Sequence, residues 1–184
     1  MFRAAIAFLM LLAVATAEAT EAAWALLRNG GQVVLVNHAH APGSGDPANF
    51  DLENCATQRN LSEQGRQQAR GMGALFYARA APIGMVLTSR YCRARDTADI
   101  AFRDSPIEMF DALDELARDP EAADEQIRAT LQRILDYSGS ENLVMVTHGA
   151  NIEAIAGVRP REGEAVVLSR SDDAVRVAAR LTFD

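Results

Sequence analysis

The sequence predicts an α/β protein, a three-layer α/β/α sandwich in which a mostly parallel central sheet carries helices on both faces. Two continuous apolar runs, QVVLVN and NLVMVTHG, are typical of strands that are buried on both sides. Segments with helical periodicity separate the predicted strands along most of the chain. No internal repeat, low-complexity stretch or long linker interrupts this alternation, which favours a single domain.

The first part of the predicted domain reads as helix, strand, loop and helix. The helix EAAWALLRNGG begins at Glu21 and ends at a pair of glycines. QVVLVN is rich in β-branched residues and is predicted to be a strand, and the Gly and Pro residues between positions 38 and 60 indicate a loop. The helix LSEQGRQQARGMGALFYARA follows, with Ser62 as its predicted N-cap.

The remaining elements continue the alternation. Their predicted order is strand GMVLTS, helix YCRARDTADIAF, strand IEMF, an acidic loop, helix EAADEQIRATLQRILDYSG, strand NLVMVTHG and helix ANIEAIAG. The last two predicted strands, GEAVVLSR and AVRVAARLTF, show partial alternation of apolar and polar residues, so we expect them to pair as a terminal hairpin.

Residues 1–19 have the layout of a secretory signal peptide. MFR supplies a positive start, AAIAFLMLLAVA an apolar core of twelve residues, and ATAEA a small-residue cleavage site near Ala17 to Ala19. The alternative is a retained membrane anchor, for which the apolar core is short. We therefore expect residues 20–184 to form one exported domain, periplasmic or secreted, without a membrane span.

The charge of the chain excludes some partners and restricts how a cationic site can be built. A net charge of −7 and a pI near 5.0 argue against nucleic acid as a partner, since no basic face is available to replace counterions. All 18 basic residues are Arg. A cationic site must therefore consist of guanidinium groups, which bind phosphate in a bidentate manner.

Polar residues follow several of the predicted strands. His38, His148 and Ser89 each come directly after or at the end of a strand, and arginines follow Ser89. Because parallel strands open their carboxyl ends to one crevice, we expect these side chains to converge there. His38, His40 and His148 could together bind a metal ion. However, the neighbouring cations would repel it, which favours an anion site with no metal or cofactor; these cations are Arg59, Arg90, Arg93 and Arg95.

Two imidazoles beside guanidinium groups suit phosphate chemistry. A neutral imidazole can attack phosphorus, and a carboxylic acid must then protonate the leaving oxygen. The segment DALDEL offers Asp114 and Glu115 near the end of the third predicted strand. The alternative is that these two residues only cap or solvate the next helix.

Four motifs in sequence order resemble the histidine phosphatase superfamily, which has the phosphoglycerate-mutase-like fold. NHA corresponds to the R-H-G/A element, LSEQGRQQA to L-[ST]-x-x-G-x-x-Q-A, SRYCRARDTA to S-x-x-x-R-A-x-x-T-A, and VTHG to V-x-H-G. The resemblance is to the small exported form and runs from about Gln32 to Leu168. It implies that His38 is the phosphohistidine nucleophile, that Arg93 and His148 bind the phosphoryl group, and that the Gly149 and Ala150 amides begin the next helix.

Two further roles concern the general acid and His40. An L-x-E pattern points to Glu115 as the general acid, with Asp114 as the alternative. His40 lies two positions beyond the strand end and is interpreted as a rim residue of the loop.

Asn37 stands where the family has Arg directly before the nucleophile. Asn can donate a hydrogen bond but supplies no charge, and the loss of one preorganised donor typically costs ~10²–10³ in rate. Three interpretations follow. The enzyme is slow, or the protein binds phosphate without turnover. In the third, another arginine, Arg90 or Arg59, replaces the missing guanidinium.

We therefore predict a phosphomonoesterase that acts through a phosphohistidine on His38. Its substrate would be a phosphorylated small molecule or a cell-envelope sugar phosphate, and no cofactor is implied. The alternative is a non-catalytic phosphate-binding protein of the cell envelope.

Two cysteines, Cys55 and Cys92, flank segments that should converge at the site. Export permits a disulfide between them. Two separately buried thiols are the alternative.

Overall fold

The computed structural model describes residues 20–171 and 174–183, so the predicted signal peptide lies outside the described residues. Five helices and six strands follow one another in the predicted order. The helices are α1 (20–29), α2 (Glu63–Ala78), α3 (Cys92–Ala101), α4 (Pro120–Leu135) and α5 (Gly149–Ala156). The strands are β1 (Val33–Asn37), β2 (Ile83–Thr88), β3 (Ile107–Met109), β4 (Asn142–Thr147), β5 (Ala165–Ser171) and β6 (Ala174–Leu181). Single 3₁₀ turns span Cys55–Thr57 and Asp111–Leu113.

The six strands form one mixed sheet in the order β3-β2-β4-β1-β5-β6. β3, β2, β4 and β1 run parallel. β5 is antiparallel to β1, and β6 is antiparallel to β5. The predicted fold class and the terminal hairpin are therefore confirmed.

The central strand β1 is buried along its whole length, and its side chains alternate between two apolar cores. Val34 and Val36 pack with residues of α1, α2 and α3. Val33 and Leu35 pack on the other face with residues of α4 and α5. This burial on both faces explains why the strand reads as a continuous apolar run rather than as an alternating one.

The helix with the LSEQGRQQA motif packs closely against the loop after β1. The Ser62 hydroxyl accepts a hydrogen bond from the Gly65 amide, as expected of an N-cap. A Cβ atom at Gly65 would lie only 2.1 Å from the His40 carbonyl oxygen, so the close approach of helix and loop requires glycine here. Gln68 continues this contact by accepting a hydrogen bond from the His40 amide.

The structure joins Cys55 and Cys92 in a disulfide, with their Cα atoms 5.7 Å apart. The bond ties the long loop after β1 to the first residue of α3. In the ranges 20–171 and 174–183, no helix combines the length and apolarity needed to cross a membrane.

Candidate active site

His38 follows β1 directly and is almost fully buried, with 3% of its surface exposed. Its Nε2 atom lies 3.2 Å from Nε of Arg93, which can only donate, so Nε2 must carry the lone pair. The ring proton is therefore on Nδ1, which donates to the Ala39 carbonyl at 2.9 Å. Nε2, the atom available for attack, faces the guanidinium groups.

Burial controls the protonation of His38. The pKa of His38 is lowered to about 4, mainly because burial removes the solvation of the charged ring and also because the Arg93 and Arg59 guanidinium groups lie close to it. The Ala39 hydrogen bond and the Glu162 charge act in the opposite direction and only partly offset this effect. At neutral pH the imidazole is therefore uncharged, which is the state that a nucleophile needs.

Arg93, near the start of α3, is completely buried and lies at the centre of the cluster. Its Nη1 donates to both carboxylate oxygens of Asp46, at 3.2 and 3.1 Å. Its Nη2 donates to Glu115 at 2.6 Å and lies 3.3 Å from Nδ1 of His148. The cation is thus held on one side by His38 and His148 and on the other by two carboxylates.

His148 follows β4 and belongs to a chain of hydrogen bonds through Ser89. Since Arg93 donates toward Nδ1, the proton of His148 lies on Nε2, 3.0 Å from the Ser89 hydroxyl oxygen. Ser89 in turn donates to Asp114 Oδ1 at 3.0 Å. Burial, followed by the influence of His38 and Arg93, lowers the pKa of His148 well below its usual value.

The two acidic residues of the DALDEL segment occupy different environments. Asp114 is buried, and both of its oxygens are bound, by Ser89 and by the backbone and guanidinium of Arg90. Glu115 is 48% exposed at its side chain and contacts Arg93. Only Glu115 therefore has a carboxyl that can move toward a leaving group, whereas Asp114 orients Ser89.

Arg90, the first candidate to replace the missing arginine, is paired with Asp114. Its Nε lies 2.7 Å from Asp114 Oδ2, and its Nη2 lies 2.5 Å from the same oxygen. This hydrogen bonding raises the pKa of Arg90. Asp114 thus holds the Arg90 guanidinium, and whether Arg90 also replaces the arginine missing at Asn37 stays a prediction.

Arg59 does reach His38. Its Nη2 is 3.4 Å from His38 Nε2, while its Nη1 donates to the Ala41 carbonyl at 2.6 Å and to Glu162 Oε1 at 2.9 Å. Although burial alone raises the pKa of Glu162, the Arg59 hydrogen bond and the other favourable contacts lower it overall. Arg59 is therefore a positioned cation that already has a counter-ion.

Asn37 is turned toward α5 rather than toward Arg93. Its Nδ2 donates to the Pro160 carbonyl at 3.2 Å. Its Oδ1 is buried and has no hydrogen-bond partner in the described part of the chain. A Cβ atom at Gly149 would lie 3.2 Å from Asn37 Nδ2, so the start of α5 packs directly on this side chain.

His40 lies outside this cluster, at the rim. Its Nδ1 is 2.9 Å from Glu162 Oε2, and its side chain is 40% exposed. Among residues 20–171 and 174–183, no group of three or more His, Cys, Asp or Glu side chains is placed to hold a metal ion.

Sequence reasoning missed Asp46, Glu162 and Tyr91. The first two are the counter-ions of Arg93 and Arg59, and the Tyr91 ring lies 4.6 Å from the Arg93 guanidinium carbon. No local pattern marks the two acidic residues, because each meets its arginine only through the tertiary fold. Tyr91 lies within the SRYCRARDTA motif, and its position two residues before Arg93 was the available signal.

Part of the chain matches a known protein family. Residues 54–119 match the model of the histidine phosphatase superfamily (branch 1). No curated protein sequence matches the chain. The family match confirms the resemblance seen in the sequence, and the structural similarities below confirm the fold.

Several solved structures share the fold. The putative phosphohistidine phosphatase SixA from Agrobacterium tumefaciens is 20% identical, with a TM-score of 0.60 over 82% of this chain and 97% of that one. A putative alpha-ribazole-5'-P phosphatase from Escherichia coli is 15% identical, with a TM-score of 0.63 over 83% and 96%. YhfR from Bacillus stearothermophilus is 17% identical, with a TM-score of 0.61 over 80% and 95%.

Proposed function

We propose that this protein is a phosphomonoesterase that works through a phosphohistidine on His38. The chain has the fold of the histidine phosphatase superfamily and matches its sequence model over residues 54–119, which supports this proposal. The observation that carries this proposal is the Nε2 lone pair of a buried, neutral His38, which faces two arginines, Arg93 and Arg59.

The first half-reaction transfers the phosphoryl group to the protein. The Nε2 lone pair of His38 forms the bond to phosphorus while the bond to the leaving oxygen breaks. The protonated Glu115 carboxyl gives its proton to that oxygen, so the leaving group departs as an alcohol. The Nδ1–H bond to the Ala39 carbonyl stabilises the positive charge that develops on the ring.

The second half-reaction regenerates the free histidine. Glu115, now a carboxylate, accepts a proton from a water molecule that attacks phosphorus. The bond between phosphorus and Nε2 breaks, its electron pair returns to His38, and inorganic phosphate leaves. No metal or organic cofactor takes part in either step.

Arg93 and Arg59 supply the charge that stabilises the transferred group. Their N–H groups already point at Nε2 of His38, where the phosphoryl oxygens would lie. His148 contributes as a neutral ring: Ser89 and Asp114 orient it through Nε2, and its Nδ1 positions the Arg93 guanidinium. Donors arranged before the reaction avoid the cost of reorganising solvent at the transition state.

The substrate is proposed to be a phosphorylated small molecule or a sugar phosphate of the cell envelope. The signal-like residues 1–19 support an exported location, periplasmic or secreted. The solved structures of similar fold include a putative phosphohistidine phosphatase and a putative alpha-ribazole-5'-P phosphatase, and this diversity supports the reaction type rather than one substrate.

A second candidate function is phosphate binding without turnover, which the position of Asn37 favours. The Asn37 side chain is hydrogen bonded to Pro160 and contributes no charge near His38. Asn37→Arg separates the two functions: a gain in kcat/KM of ~10–100-fold indicates an enzyme limited by one missing charge-assisted donor. A chain that binds phosphate tightly but shows no turnover with either residue is a binding protein.

The direct test is hydrolysis of 4-nitrophenyl phosphate by residues 20–184, with and without a chelator. His38→Ala should abolish turnover and the acid-labile incorporation of phosphate. His40→Ala is the matched control from the same loop and should retain both. If His38→Ala keeps wild-type turnover, His38 is not the nucleophile; if chelator abolishes activity, a metal-dependent reaction replaces the proposal.

A further inference from the structure

A cavity of about 480 Å³ opens beside Arg93, between the loop around residues 44–50 and the segment 115–118. Asp46 and Glu115, the two carboxylates that hold Arg93, both line it. Since the phosphoryl group must lie between His38 and Arg93, this cavity is positioned to receive the leaving group. Its volume is in the range of small-molecule pockets.

One wall of the cavity is aromatic. The rings of Phe50 and Tyr91 stack with centroids 5.2 Å apart and planes inclined by 24°. Tyr91 also meets the edge of His148 at a centroid distance of 5.0 Å, so this wall begins at the catalytic cluster. Phe50 remains 36% exposed, which leaves apolar surface for a ligand ring.

Phosphoryl binding changes the charge balance of this wall. In the structure Arg93 is neutralised by Asp46 and Glu115, and Arg59 is neutralised by Glu162. A phosphoryl dianion beside His38 would share the single charge of Arg93 with Asp46 and Glu115, so these carboxylates would be only partly neutralised. These carboxylates then face the leaving group.

Glu115 and Asp46 differ in how freely their carboxylates can move when a phosphoryl group binds. Glu115 is half exposed and takes part in proton transfer in the proposed mechanism. Asp46 is only 12% exposed, and its Oδ1 also accepts a hydrogen bond from the Arg59 amide at 2.7 Å. Asp46 therefore stays in place as a fixed negative charge, poorly screened by water.

Arg118 is the cation on the cavity lining. Its side chain is exposed, so solvent and salt screen it more strongly than they screen Asp46. The charge at the inner end of the cavity is therefore negative.

On the basis of the proposed function, we propose that Asp46 is a specificity-determining residue. Its charge makes the cavity reject leaving groups with an anionic substituent, while the wall of Phe50 and Tyr91 favours a flat aromatic ring. Of the substrates proposed above, this selects phosphorylated small molecules that are aryl esters with a neutral or cationic substituent, and not sugar phosphates. Like charges placed together without full neutralisation disfavour the wrong ligand, which is an effective source of specificity.

The test compares 3-(aminomethyl)phenyl phosphate with 3-(carboxymethyl)phenyl phosphate. The methylene group separates each charge from the ring, so the two esters have similar intrinsic reactivity. For the wild type we expect kcat/KM to favour the cationic ester by ~10-fold or more, from one close charge pair at a partly screened site. Added salt should reduce this preference.

Asp46→Asn should reduce the preference by ~5–10-fold, because it removes the charge but keeps an oxygen for the Arg59 amide. Asp104→Asn is the control with the same change of net charge: Asp104 is exposed and precedes β3, at the opposite edge of the sheet. It should leave the preference unchanged. Phe50→Ala should raise KM for phenyl phosphate but not for ethyl phosphate.

The possible results distinguish a failure of the proposed function from a failure of the inference about Asp46. If none of the esters is hydrolysed, the proposed function fails and this inference fails with it. If both charged esters are hydrolysed equally by the wild type, or if Asp46→Asn and Asp104→Asn behave alike, the proposed function stands and the inference about Asp46 is wrong.

Discussion

Nε of Arg93 lies 3.2 Å from Nε2 of His38, so a completely buried cation donates to the nitrogen that we propose as the nucleophile. This contact sets the tautomer of His38, because a guanidinium can only donate. It also helps to keep the ring uncharged, although burial is the larger cause. Arg93 thereby sets the tautomer of the proposed nucleophile and also provides N–H groups for the phosphoryl group that the nucleophile would attack.

The pKa of His38 near 4 predicts how stability and activity depend on pH. Below pH 6.5 the unfolded chain takes up a proton at this position that the folded protein does not bind until about pH 4. The free energy of unfolding should therefore fall as the pH drops from 6.5 to 4, by about 3 kcal/mol from this group. Urea unfolding of the wild type and of His38→Gln at several pH values measures the difference.

If His38→Gln shows the same pH dependence of unfolding as the wild type, His38 does not cause it. In the wild type, kcat/KM should stay free of a His38 titration down to about pH 4, since the neutral nucleophile persists to that point.

The roles of Glu115 and Asp114 can be separated by the choice of leaving group. A poor leaving group such as an alkoxide needs a proton, whereas 4-nitrophenolate does not. Glu115→Gln should lower kcat by ~10²–10⁴ with an alkyl phosphate and much less with 4-nitrophenyl phosphate. Asp114→Asn should affect both substrates equally, because Asp114 acts through Ser89 and His148. The reverse pattern would make Asp114 the acid.

Arg59 and Arg90 should differ sharply in their effect on catalysis. Arg59→Ala removes a guanidinium near His38, and we expect kcat/KM to fall by ~10²–10³. Arg90→Ala should act mainly on stability, by ~1–3 kcal/mol, since it removes a partner of the buried Asp114 carboxylate. Steady-state kinetics together with thermal unfolding of both variants measures the contrast. If Arg90→Ala lowers kcat/KM more than Arg59→Ala does, Arg90 rather than Arg59 belongs to the phosphate site.

Reduction of the Cys55–Cys92 disulfide should weaken both the fold and the site. The bridge spans 37 positions in sequence, and its loss should cost about 3–4 kcal/mol of unfolding free energy by the chain-entropy estimate. Because Cys92 directly precedes Arg93, affinity for vanadate should fall as well. Cys55→Ser, compared with the wild type in the presence and absence of a dithiol, tests this. Equal stability in all samples would contradict it.

Local signals in the sequence were sufficient to predict the order of the elements and the edge of the sheet that carries the candidate site. β-branched runs, glycines and the Ser62 cap are local signals, and each acts on residues close in sequence. His38 and His148 could be placed together because both follow parallel strands, and strand direction fixes where such ends lie. The disulfide could be anticipated but not decided, since it depends on the distance between two separate segments.

The pairing of the charged side chains, in contrast, depends on how distant segments pack in the folded chain. Arg90 and Arg93 are three positions apart, yet one pairs with Asp114 and the other contacts His38. Arg90 precedes α3 whereas Arg93 lies in its first turn, and their partners come from the loop around Asp46 and the segment after β3. Long side chains reach several ångströms from their backbone, so their contacts depend on packing between distant segments. No local pattern in a single sequence encodes that packing.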